Sequence, residues 1–238
     1  FSNGNTYIGF WQDDKYDGPG KIKYANGDVF EGFWKNGKRI KTGILYYADG
    51  TIRRSLWVDN KEYLPELIYP NKDVYYGPTD GKVRSGIGKF LTAEGYLYYG
   101  MWKKNKKEGY GIQFGKESTL IGTFNSNHLN GLGCYISKDE TYVGEFRNGM
   151  RHGFALRIFN NFQSVCFWNN GKLIYPNDDN GDIYKNLSNL RYNDNSLYWG
   201  FVKNNIKHGL GVFSDSNKYY LFGNWIDDTL NGVGIMIV

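Results

Sequence analysis

Apolar and polar residues alternate with period two along most of the chain, which is the pattern of strands. In the first stretch Tyr7, Gly9 and Trp11 point to one face, and Ile8 and Phe10 to the other. A polar loop follows, then a second alternating run through Gly18, Gly20 and Ile22, then Asn26-Gly27. Two strands joined by a polar loop make a hairpin. Asn26-Gly27 and Asp49-Gly50 turn the chain into the next hairpin, because Asn and Gly tolerate the positive φ of tight turns.

The pattern recurs at a fixed interval. Ten anchor positions run along the chain: Tyr7, Phe30, Arg53, Tyr75, Tyr98, Leu120, Tyr142, Ser164, Tyr198 and Leu221. They are spaced 22 or 23 residues apart, except for one step of 34 before Tyr198. Six of the seven tryptophans sit four residues after an anchor: Trp11, Trp34, Trp57, Trp102, Trp168 and Trp225. Glycine holds the position two after the anchor in eight of ten repeats, and the positions eleven and thirteen after it in seven each. Those slots take 22 of the 32 glycines, so glycine here is architectural. Glycine weakens a strand unless another group must approach its backbone closely. The group expected here is an aromatic ring from a neighbouring strand, with rings of one hairpin seating on bare main chain of the next. A period of this size predicts an array, so binding is the first functional expectation and catalysis needs separate evidence.

At these residues the chain resembles the MORN (membrane occupation and recognition nexus) repeat family, whose pattern is close to Tyr-x-Gly-x-Trp, a loop, then Gly-x-Gly. Tyr98-Tyr99-Gly100-Met101-Trp102 with Gly109-Tyr110-Gly111 fits, and so does Tyr142-Val143-Gly144-Glu145-Phe146 with Arg151-His152-Gly153. The resemblance implies an all-β fold: an elongated, single-layer, twisted antiparallel sheet of about ten stacked hairpins, a solenoid-like array over residues 1–238. Two repeats depart from the pattern. The third has Arg53 and Ser55 and lacks the Gly-x-Gly, and the eighth has Ser164 and Cys166. Both are followed by irregular text, near 61–73 and 173–195, which is expected to interrupt the array as kinks or docking points, or as drifted repeats with a loop. The chain begins inside a repeat, since Phe1–Asn5 aligns with Tyr24–Asp28, and is read as a segment of a longer polypeptide.

Composition narrows the function. The two cysteines, Cys134 and Cys166, provide neither a disulfide framework nor a metal quartet, and reduced, buried thiols are expected. No run of about eighteen apolar residues is present to span a membrane as a helix. His152 and His208 share a register just before a glycine but lie 56 residues apart, so no shared metal or catalytic dyad is expected. Gly115-Lys116 is followed by Glu117 where a phosphate loop needs Ser or Thr, and no Gly-x-Ser-x-Gly elbow occurs. The expectation is no enzyme, no cofactor, no metal, no small-molecule substrate and no nucleic acid. The single sequon, Asn186-Leu187-Ser188, reads as chance.

Two surfaces remain. The net charge is +5, and lysines cluster in hairpin loops at Lys103, Lys104, Lys106 and Lys107, and again near Lys35, Lys38, Arg39 and Lys41. Such an edge suits anionic lipid headgroups, or simply keeps a long sheet soluble. The second surface is apolar. The position three after the anchor holds Phe10, Phe33, Leu56, Met101, Phe167 and Phe201, and the position one after it holds Tyr99 and Trp199 among others. These lie opposite the Tyr-Gly-Trp face, and large aromatic side chains anchor interfaces. Partner chains, or another part of this polypeptide, are expected to cover this face at both ends of the array. The middle repeats, with Thr123 and Glu145, are expected to stay wetter. The alternative is that sheet twist tucks these side chains under the following hairpin. The resulting expectation is a non-enzymatic scaffold in a cytoskeletal, ciliary or membrane-associated assembly, cytoplasmic in location. A membrane-tethering module and the accessory array of a multidomain enzyme are the alternatives.

Overall fold

The computed structural model describes residues 4–160, 162–174, 187–215 and 219–237. Every regular element among them is a strand, paired antiparallel with its neighbours. The chain divides into two compact units, residues 1–106 and 107–238.

Unit 1 is built from β1 (Thr6–Gln12), β2 (Lys15–Lys23), β3 (Val29–Lys35), β4 (Lys38–Tyr46), β5 (Ile52–Val58), β6 (Lys61–Ile68) and β7 (Val74–Tyr76). A small ribbon follows, β8 (Thr79–Asp80) with β9 (Val83–Arg84), and then β10 (Gly86–Leu91) and β11 (Leu97–Lys103). Except for the ribbon, these strands lie side by side in chain order, β10 pairing with β7.

The first repeat shows why. Tyr7 pairs with Ile22 and Gly9 with Gly20, and the register then slips before Trp11 reaches Tyr16. A Cβ added at Gly20 would fall on the Tyr7 ring, and one at Gly9 would lie 2.6 Å from the Gly20 backbone. The slip is a β-bulge that exposes the Phe10 carbonyl, to which the Tyr7 hydroxyl donates at 3.1 Å. The same bond runs from Tyr75 to Pro78, Tyr98 to Met101, Tyr142 to Glu145 and Tyr198 to Phe201, at 2.8–3.1 Å. The anchor ring therefore covers glycines of its own hairpin, and the ring expected to seat on the main chain of a neighbouring hairpin is instead the one four residues later, as Trp57 does on Gly43 and Phe146 on Gly133. Contact between hairpins is made edge-on by the following tryptophan: Tyr7–Trp34 at 5.4 Å, Tyr75–Trp102 at 5.7 Å and Tyr198–Trp225 at 5.8 Å.

In half of the repeats a cation finishes the joint. Nine residues after the anchor, Arg39 lies 3.8 Å from the ring centre of Trp57, Arg84 4.2 Å from Trp102, Arg151 5.0 Å from Trp168 and Lys207 5.0 Å from Trp225. The backbone N–H of this residue donates to the side chain of the next hairpin turn: Arg39 to Asn60, Arg84 to Asn105, Lys107 to Asn127 and Lys207 to Asp228, at 2.7–2.9 Å. Neighbouring hairpins are thus tied by rings, cations and turn residues together.

Residues 61–73 do not break the sheet. They form β6 and a turn closed by the Tyr69 N–H on the Asp73 carbonyl at 2.9 Å. Here Arg53 fills the anchor slot and Glu62 the cation slot, so the cation stands where the ring usually does and an anion faces it. The guanidinium holds the Glu62 carboxylate through Nε at 2.7 Å and through a second contact, and the Ser55 hydroxyl donates to the same carboxylate. A largely buried ion pair replaces the ring-on-glycine tile.

Unit 2 holds two sheets. The first comprises β12 (Lys106–Phe114), β13 (Ser118–Asn125), β14 (His128–Ser137), β15 (Glu140–Arg147), β16 (Met150–Phe159), β17 (Phe162–Asn169) and β18 (Lys172–Ile174). The second comprises β19 (Leu187–Arg191), β20 (Leu197–Lys203), β21 (Ile206–Ser214), β22 (Tyr220–Ile226) and β23 (Thr229–Ile237). Much of the irregular segment 173–195, including Asn186 of the sequon, lies outside the described residues. The two sheets pack face to face. Their shared core contains Cys134, Val143, Phe154, Leu156 and Phe167 from the first sheet and Val212 and Phe222 from the second. Phe154 stacks on Phe222 at 5.9 Å, and Phe167 meets Phe201 edge-on at 6.4 Å. The expected antiparallel hairpins are present, but in unit 2 they form two layers with an interior, not one.

Candidate interaction surface

The face opposite the ring-and-glycine tiles differs between the units. In unit 1 the residue one after each anchor belongs to an unbroken cross-strand row. Ile8 pairs with Lys21, Lys21 with Glu31, Glu31 with Ile44, Ile44 with Arg54 and Arg54 with Glu66. Glu66 then pairs with Tyr76, Tyr76 with Lys89 and Lys89 with Tyr99. The charges alternate along it, with Lys21 to Glu31 at 2.8 Å and Arg54 to Glu66 at 3.7 Å. Beside this row runs an apolar one, in which Pro19 pairs with Phe33, Leu56 with Tyr63 and Ile87 with Met101. It is open to solvent: Phe10 is 65% exposed, Leu56 42% and Met101 44%. Phe33 and Tyr99 are exposed on the same face.

In unit 2 the equivalent rows are closed where the second sheet lies over them, while Ile121 stays exposed. Val143 and Phe222, each one residue after an anchor, are fully buried. Phe167 is buried, and Trp199 and Phe201 pack against the same interior. Of the eight side chains singled out for partner contact, the structure therefore brings Phe10, Phe33, Leu56, Tyr99 and Met101 together on the open face of unit 1. It sends Phe167, Trp199 and Phe201 inside unit 2. The middle repeats are not uniformly the wetter ones: Ile121 is exposed, but Val143 belongs to the two-sheet core. The discriminating signal is the position one after the anchor. It reads Ile8, Glu31, Arg54, Tyr76 and Tyr99 in unit 1, against Ile121, Val143, Val165, Trp199 and Phe222 in unit 2. A row with charges every few strands stays wet, and the uncharged row is free to be buried under another sheet, as it is from Val143 to Phe222 but not at Ile121.

The basic loop is less uniform than its composition suggests. Lys103, Lys104 and Lys106 are exposed. Lys107 is not free: its Nζ donates to Gln113 at 2.5 Å and lies 5.9 Å from the Phe124 ring centre. In the second cluster Lys35 pairs with Asp17 at 3.1 Å and Arg39 stacks on Trp57. The histidines serve the hairpin turns, with His152 Nδ1 accepting the Asn170 N–H at 3.3 Å and His208 lying 3.5 Å from Asp227. Among the described residues no group of three or more His, Cys, Asp and Glu has a metal-holding arrangement, and no helix is long and apolar enough to cross a membrane.

The repeat geometry agrees with the comparison to known families. The MORN repeat matches residues 7–29, 30–52, 98–116, 121–141, 142–163 and 198–218, just over half of the chain. This chain belongs to the MORN-repeat family. The repeats left unmatched are those anchored at Arg53, Tyr75, Ser164 and Leu221, three of which lack the anchor ring. A stretch of 43 residues is 46% identical to phosphatidylinositol 4-phosphate 5-kinase 1 of Oryza sativa subsp. japonica, covering 18% of this chain and 5% of that protein. The chain thus spans a small fraction of the length of that relative. Two solved structures overlap loosely. One is the SAS-4 TCP domain of Drosophila melanogaster in complex with a proline-rich motif of Ana2, at 15% identity and TM-score 0.44, over 68% of this chain and 88% of that one. The other is the TCP10 domain of Danio rerio CPAP, at 16% identity and TM-score 0.30, over 94% and 91%.

Proposed function

We propose that this MORN array is a non-enzymatic scaffold that holds partner proteins on the open face of unit 1. One observation carries the reading: the face that unit 2 buries under a second sheet is left uncovered in unit 1, with Phe10, Phe33, Leu56, Tyr99 and Met101 exposed along it. Exposed apolar rows of this extent mark interaction sites, and the flanking charges of Lys21, Glu31, Arg54 and Lys89 give them specificity and register. The setting in keeping with the family is a cytoskeletal, ciliary or membrane-associated assembly. The likeness to the rice kinase covers repeat text only, so its catalysis is not carried over.

The test is a triple substitution, Phe33→Ser, Leu56→Ser and Met101→Ser. These side chains support no core, so the variant keeps its melting temperature within a few degrees. Quantitative comparison of the proteins retained by wild type and variant should then show specific partners lost. Retention of every partner by a folded variant sinks the reading.

A second reading has one observation in its favour, the exposure of Lys103, Lys104 and Lys106 on a single turn. Three such cations contribute roughly 3 kcal/mol at an anionic membrane surface. Binding to phosphatidylserine vesicles that vanishes when the three are changed to Gln, while phosphatidylcholine vesicles bind neither form, would support it. Sedimentation with both vesicle types equally, or with neither, removes it.

A further inference from the structure

We propose that the open face of unit 1 closes on the same face of a second copy of this chain, through a two-fold axis parallel to the strands and passing between β5 and β6. The proposal rests on the reading above and names the occupant of that face.

Unit 2 supplies the precedent. There one sheet of these repeats covers the off-tile face of another, and the strand order runs in opposite senses in the two layers: β14 lies by β23, β16 by β21 and β17 by β20. A two-fold axis parallel to the strands produces that reversal between two copies. The off-tile face of this repeat is therefore competent to receive a sheet of its own kind.

The charges of unit 1 decide the register. Along β2, β3, β5, β6 and β10 the row reads Lys21, Glu31, Arg54, Glu66, Lys89. Direct reversal would set Arg54 on a strand bearing the same charge. Placing β5 over β6 of the second copy sets Arg54 against Glu66 twice, once on each side of the axis. It also brings Glu31 to Lys89 of the second copy, so each charge that meets a charge meets its opposite. In the neighbouring row the same placement lays Leu56 on Tyr63 and Phe33 on Ile87, all four exposed in the single chain. Aligned sheets diverge with twist, so contact is confined to the six central strands. At about 4.8 Å per strand and 3.3 Å per residue these cover roughly 650 Å² per copy. That is about 1,300 Å² in total, within the size of a specific interface.

Sedimentation velocity of the 238-residue chain tests the proposal. Wild type is expected to sediment as a dimer in the micromolar range. Arg54→Glu alone sets like charges against each other at both contacts, as does Glu66→Arg alone, and each variant should be monomeric. An equimolar mixture of the two variants should recover the dimer, because opposite charges then meet at both contacts. Misfolding would survive mixing, so recovery requires the two residues to meet across copies. A monomeric wild type, single variants that remain dimeric, or a mixture that stays monomeric each overturns the proposal. If the chain is monomeric while the triple serine variant still loses a bound protein, the dimer fails and the scaffold reading stands. If the mixture complements while that variant keeps every partner, the dimer stands and the scaffold reading fails.

Discussion

Tyr198 shows how one residue type can specify this fold. Its ring lies over Gly200 and Gly211, and a Cβ at Gly211 would fall on the ring atoms. Its hydroxyl donates to the Phe201 carbonyl that the bulge frees, at 2.8 Å. Gly211→Ala should therefore overpack the tile and cost roughly 1–3 kcal/mol. Tyr198→Phe should cost about 1 kcal/mol, the net value of one hydrogen bond. Urea unfolding of the two variants checks the order, and an alanine as mild as the phenylalanine would contradict the tile. The buried anchors also set a limit at high pH. Burial, with the neighbouring Tyr69 adding to it, pushes the Tyr75 phenol up to about 12 against the partial opposition of Arg84 and the Ser85 hydrogen bond. Burial likewise raises Tyr142 and Tyr198. A raised folded value means the neutral phenol favours the fold, so its full contribution is present below pH 10 and is lost as pH rises toward 12. Absorbance titration at 295 nm should show a class of tyrosines that ionises only with loss of structure. Uniform titration of all tyrosines would contradict the buried tiles.

Between hairpins, the joint is a cation laid on the next tryptophan. Arg84 lies 4.2 Å from the Trp102 ring centre, and its backbone N–H is held by Asn105 at 2.7 Å. Replacing Arg84 with Met keeps much of the apolar stem and removes the charge. The expected loss is about 1–2 kcal/mol, the range for a partly desolvated cation–π contact. Trp102 fluorescence should report the loosened joint, and an unchanged melting temperature with unchanged emission would contradict it. The strands, the hairpins and the glycine slots were legible in the sequence because period-two alternation and a constant spacing are local signals. The joint was not, because its members lie in successive repeats and the cation slot also carries Tyr16, Glu62 and Leu129. The third repeat misled for a related reason. Arg53 and Glu62 each look like an error in the frame when read alone, and only their contact in space shows an ion pair filling the place of a ring. The seat of the anchor ring was half legible: glycine meant a close approach, but the bulge that directs the ring to its own hairpin leaves no mark in the spacing.

At the scale of the whole chain, what divides open from closed surface is the row one residue after the anchors. Charged Glu31 and Arg54 in unit 1 oppose burial, and Val143, Val165 and Phe222 in unit 2 favour it. Reading the bulkier row three residues after the anchors suggested coverage at both ends of the array and a wet middle, and so mistook interior residues Phe167 and Phe201 for surface. The two units treat one repeat face in opposite ways. Hydroxyl-radical footprinting read by mass spectrometry tests it directly, comparing the dilute chain with its assembled form. Phe33 and Met101 should label strongly in the dilute chain and lose that labelling on assembly, while Phe154 and Phe222 stay protected throughout. Labelling of Phe154 and Phe222 as strong as that of Phe33, or no protection of Phe33 and Met101 on assembly, would contradict it.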